Sequence, residues 1–73
     1  RTNYRGRRHM SHLLKALIQK LLGDIAVAKA NIQVYQDHPV GIGEHPDLVA
    51  AIDSQVEIIA EAEDKIQVIN KYF

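Results

Sequence analysis

Apolar residues recur in alternating steps of four and three along two separate stretches of this chain, and no other feature of the sequence constrains its fold as tightly. The first row is Leu14, Ile18, Leu21, Ile25, Ala28, Ile32 and Tyr35; the second is Leu48, Ile52, Gln55, Ile59, Ala62, Ile66, Ile69 and Phe73. Such spacing lines side chains up along one stripe of an α-helix, whereas a strand would need a period of two. Leu13, Leu17 and Leu22 widen the first stripe, and Val49, Val56 and Ile58 widen the second. Between the two lies DHPVGIGEHP, whose two prolines and two glycines exclude a continuous helix. His38 precedes a proline and is biased away from helical geometry, while Pro46 fits a first helical position and Asp47 suits the positive end of a new helix dipole. The pattern predicts an all-α fold, an antiparallel two-helix hairpin with helices over about 10–37 and 46–72. Val40 and Ile42 are apolar enough to fold the turn, 38–45, back over the hairpin tip.

Gly23 is the one obstacle inside the first helix, because an interior glycine costs about 1 kcal/mol relative to alanine. Asp24 could cap a fresh start there. The stripe nonetheless passes through Leu21, Ile25 and Ala28 without losing phase, which predicts a continuous helix with at most a slight bend.

The 73 residues suffice for one domain, and a domain so small buries only about 60% of the surface of its unfolded chain. It needs disulfides, a metal, very regular packing or a partner. Cysteine is absent, which excludes disulfides and thiolate zinc sites together. With 47% hydrophobic and 25% charged residues the chain is too apolar for a disordered tail. No apolar run approaches the roughly 20 residues that cross a bilayer, so neither an anchor nor a membrane partner is expected, and the expected location is cytoplasmic.

Stripe width then points to a partner. On a helical wheel the second stripe covers an arc of about 180°, from Ile58, Ala51 and Ile69 on one flank of Ile59 to Val49 and Val56 on the other, wider than one neighbouring helix hides. The first has the same excess, with Leu13 and Leu22 at opposite margins. Burying a large aliphatic side chain contributes about 1.5 to 3 kcal/mol, so self-association into a four-helix bundle, most simply as a dimer, is the expected remedy. The residues expected to carry it are Leu14, Ile18, Leu21, Ile25, Ile52, Val56, Ile59 and Ile66. A non-enzymatic assembly or interaction module follows.

Charge supplies the alternative reading. Nine basic and nine acidic residues cancel, yet the bases gather early and the acids late. Residues 1–9 form a basic leader, either a disordered native arm or a cloning remnant ahead of Met10, and 10–73 form the single hairpin domain. Arg1, Arg5, Arg7 and Arg8 would be phosphate contacts if the chain were a small nucleic-acid-associated regulator. Without those four arginines the chain carries five bases against nine acids, a formal charge of −4 that would repel nucleic acid.

Motifs that carry chemistry are incomplete. His9 and His12 lie three apart and His38 and His45 bracket the turn, but two loop histidines make only half of a usual zinc shell. Gly41 to Gly43 lacks the rest of a phosphate loop. Ser11, with His12 and Asn70, could be drawn as a nucleophile and base, although a serine at a helix start is far more often a cap. Asp24 and Asn31, like Glu63 and Asn70, stand one heptad apart in or beside an apolar stripe; no Glu-x-x-His motif accompanies them, so their expected role is to select register and partner. Neither catalysis nor a cofactor nor a metal is expected. In an antiparallel hairpin, positions whose numbers sum to about 82 should be level, bringing Lys29 near Asp53 and Lys20 near Glu61 or Glu63.

The segment HPVGIGEHPDLVAAIDSQVEIIAEAEDKIQVINKYF, and VGIGEHPD at Val40 to Asp47 most specifically, resembles short helical proteins of marine T4-like cyanophages whose activity is undefined. The resemblance spans about Leu13 to Phe73. It implies a phage-encoded helical protein acting in the cytoplasm of an infected cyanobacterium or in a virion, and it brings no catalytic residues with it.

Overall fold

The first helix starts where its sequence offers a cap. In the computed structural model, which describes residues 10–38 and 45–73, Ser11 sits in extended geometry (φ −64°, ψ 160°) and its Oγ accepts a hydrogen bond from the Leu14 N–H at 3.2 Å. That bond satisfies one of the donors every helix start leaves unpaired. Helix α1 runs His12–Asp37 without interruption and ends at His38 (φ −136°, ψ 65°), whose N–H donates to the Val34 carbonyl at 2.8 Å. The clash that Pro39 imposes on its predecessor accounts for the stop. Helix α2 runs His45–Tyr72, with Asp47 in its first turn and Lys71 in its last, each the sign its helix end favours. The first start is thus two residues later than the expected 10, and the second falls at His45, where a start at His45 or Pro46 is expected. The leader 1–9 and the chain from 39 to 44 lie outside the described residues.

Continuity through Gly23 is observed. A Cβ built there would meet nothing within 4 Å, so the glycine relieves no crowding and the helix simply tolerates it.

The two helices pack as an antiparallel hairpin: Leu21, early in α1, clusters with Ala62 and Ile69, late in α2, while Asn31, later in α1, meets Gln55, earlier in α2. The molecule measures 56 × 15 × 15 Å along its principal axes. A rod that thin has one line of interior. Leu21, Ala28, Ala62 and Ile69 form it, each no more than 5% exposed, and two of the four are alanines. Met10, Leu14, Ile18, Ile25 and Ile66 pack partly buried against this line. Among the described residues, no helix is long and apolar enough to cross a membrane.

The cross-helix hydrogen bond departs from the level rule. The Asn31 Nδ2 donates to Gln55 Oε1 at 3.0 Å, one turn along α2 from the Ala51 that level pairing selects. Side chains on a helix lean toward its own N-terminus. In antiparallel partners the two leans are opposed, so Asn31 reaches away from the hairpin tip and Gln55 toward it, and contacts fall on pairs of larger sum. Asp53 stands two positions before Gln55, on the side of α2 turned away from α1, and among the described residues no ion pair joins it to Lys29. Lys20 turns instead to Asp24 on its own helix, at 2.9 Å. Both partners are well exposed and the lysine precedes the acid, the weaker order for such a pair, so the bridge adds little.

Candidate interaction surface

Taking Leu21 and Ala28 as the contact line of α1, and Ala62 and Ile69 as that of α2, positions seven apart form rows on either side. On one side of α1 the first row is Leu17, Asp24 and Asn31; on one side of α2 it is Ala51, Ile58, Lys65 and Tyr72. These two rows meet. Asp24, Val27, Ile58, Glu61 and Lys65, with Leu21, Ala28 and Ala62 at the bottom, line an open groove of about 400 Å³. The groove exists because Ala28 and Ala62 are too small to fill the space between flanking side chains.

The rows on the other side of each contact line therefore share the opposite face. They are Ile18, Ile25 and Ile32 on α1, and Ile52, Ile59 and Ile66 on α2. All six are half-buried, and Ile18, Ile25 and Ile66 pack against the core. Leu22 and Val56 flank them, 46% and 49% exposed. Six isoleucines stand in these adjoining rows with no polar side chain among them, whereas the more exposed Leu13, Val27 and Val34 lie on the groove side.

The residues expected to mediate self-association divide accordingly. Leu21 is 3% exposed and Leu14 packs against it, so these two serve the contact between α1 and α2. Ile18, Ile25, Ile52, Ile59 and Ile66 lie on the isoleucine face, with Val56 at its margin. Heptad counting alone merged the two sets, because a stripe this wide does not say which of its rows points straight at the neighbouring helix. The groove was missed altogether; the two alanines in facing stripes were its only sequence signal.

Of the polar residues singled out in the stripes, Asn31 makes the cross-helix bond and Asp24 lines the groove, whereas Glu63 and Asn70 are exposed on the margin of the isoleucine face. Ser11 caps α1. His12 is exposed in its first turn and His38 at its end; His9 and the side chain of His45 lie outside the described residues. Among the described residues, no three His, Cys, Asp or Glu side chains gather so as to hold a metal ion. Arg1, Arg5, Arg7 and Arg8 also fall outside the described residues. Comparison with protein-family models, with curated proteins and with solved structures finds no match to the chain.

Proposed function

We propose that this chain is a non-enzymatic assembly module that works through helix–helix association, first of all with copies of itself. One observation carries the reading. The described hairpin fully buries only four hydrophobic side chains, two of them alanines, while Leu13, Val27, Val49 and Val34 stand 53% to 71% exposed and others follow them. Exposed apolar surface on that scale, on a chain without disulfides, marks an interaction site. The likeness of Val40 to Asp47 to cyanophage proteins supports a phage-encoded component acting in the host cytoplasm or the virion.

Light scattering on the full chain at tens of micromolar tests this. The expected mass is a multiple of the 8.2 kDa chain, twice that value being the simplest. A single species at the chain mass, unchanged on dilution and concentration, would contradict it.

A further inference from the structure

We infer that a second copy of this chain docks on the groove face in inverted orientation, so that the two hairpin turns lie at opposite ends of a four-helix bundle. The inference rests on the self-association reading and adds the face and the symmetry. Exposure is the first argument. Leu13, Leu17, Val27, Ile58, Val68 and Tyr72 all lie in the two rows nearest the groove on their helices, and they are 39% to 71% exposed. They make up six of the eleven exposed large hydrophobic side chains among the described residues, gathered on one face.

Charge order is the second argument, and it selects the symmetry. On α1 the base precedes the acid in these rows, Lys20 before Asp24, and on α2 the acid precedes the base, Glu61 before Lys65. Antiparallel packing therefore sets the two bases level with each other and the two acids level one turn nearer the hairpin tip: both pairs of numbers sum to 85, between the 83 of Leu21 with Ala62 and the 86 of Asn31 with Gln55. The face carries a basic rung beside an acidic one. A twofold axis across the rod between these rungs lays each helix on its own copy, pairing α1 positions that sum to 44 and α2 positions that sum to 126. Lys20 then meets Asp24 of the other copy and Glu61 meets Lys65, while Leu17 meets Val27 and Ile58 meets Val68, so opposite charges and apolar groups match throughout. Within one copy Lys20 already holds Asp24, whereas among the described residues Glu61 and Lys65 make no ion pair. An axis along the rod would instead set Lys20 against Lys65 and Asp24 against Glu61. The isoleucine face offers no such match, since Lys15 and Lys29 flank it on α1 and Glu63 on α2, and neither helix holds both signs there.

Sedimentation equilibrium on the full chain tests this, and should find a dimer. Glu61→Lys breaks no ion pair within a copy but sets lysines against Lys65 twice per dimer, and should weaken association about tenfold or more. Adding Lys65→Glu exchanges the two signs and should restore association to within about threefold of native. Val56→Lys, on the isoleucine face and 49% exposed, should also stay within about threefold. Circular dichroism should show all three variants as helical as the native chain. Because cysteine is absent, exposed Gln36→Cys takes a single spin label per chain, and the labels should sit about 40 Å apart. Tighter association of Glu61→Lys, or labels within about 25 Å, would put the turns at the same end and overturn the symmetry. A dimer that Glu61→Lys leaves unchanged, or that Val56→Lys disrupts, would take the contact off the groove face. Each of these results would leave self-association standing, whereas a monomeric native chain would remove both readings.

Discussion

The two faces of the hairpin are built from the same helices and the same heptads, yet they treat polarity oppositely. On the isoleucine face, the rows beside the contact line hold six isoleucines, and Phe73 continues the row on α2. On the groove face, the corresponding rows are broken by Asp24, Asn31 and Lys65, and Ala28 and Ala62 leave a depression between them. The groove face has its polar work inside the molecule: Asn31 meets Gln55 and Asp24 holds Lys20. Among the described residues, the isoleucine rows have no such polar pair. What the difference teaches is that amphipathic width is not symmetrical about the contact line. One side breaks its inner rows with polar groups and the other keeps them aliphatic.

The sharpest way to break this contrast is a charge placed on each face in turn. Ile25→Asp puts a carboxylate on a residue packed against Leu21 and its neighbours, and should destabilise the fold by about 3 kcal/mol or more, read from urea denaturation by circular dichroism. Val27→Asp, two positions along the same helix but 61% exposed on the groove side, should change the stability of a single copy, measured in dilute solution, by no more than about 0.5 kcal/mol. Comparable losses from both would erase the distinction between the faces.

Next in size is the polar pair of the hairpin interior. Asn31→Ala leaves the part-buried Gln55 Oε1 without its donor and should cost about 1 kcal/mol. The double change Asn31→Leu with Gln55→Leu should recover most of that loss in stability while loosening register, visible as broader amide resonances, because an apolar pair fills the space without specifying a partner. A double variant with the native spectrum would show that packing alone sets the register. Loss of the cap in Ser11→Ala should cost about 1 kcal/mol as well, confined to the first turn of α1 and measurable as faster amide exchange at Leu14.

One expected effect has the opposite sign. Gly23 sits in α1 with open space around it, away from both faces, so Gly23→Ala should stabilise the chain by about 0.5 to 1 kcal/mol and leave its assembly state unchanged. A Gly23→Ala variant that altered association would mean that this outer surface takes part in contacts.

Much of the fold was legible before any coordinates. The alternating steps through Leu14 to Tyr35 and Leu48 to Phe73 define both helices, because a helix must keep its apolar residues in phase over several turns to bury any of them. Ser11 and the His38–Pro39 pair mark the limits of α1 through local backbone chemistry that the hairpin does not alter. The contact line itself was not legible. Leu21 and Ile25 are equally apolar and belong to one stripe, and only the rotation of each helix about its axis makes the first buried and the second half-buried. Asn31 and Gln55 were both visible as polar residues associated with the stripes, but their meeting depends on opposed side-chain lean, which numbering cannot express. The groove depends on what alanine fails to fill, and an absence of volume has no periodicity.

Thermal unfolding of the native chain across a hundredfold range of concentration asks most directly whether the exposed apolar rows are half of a shared core. When folding and association are one event, the midpoint rises with concentration by mass action. We predict a midpoint that climbs by several degrees between about 1 and 100 μM, steeply enough to give two chains per cooperative unit. A midpoint that stays constant over that range would mean that the hairpin is complete by itself and that its exposed rows need no second copy.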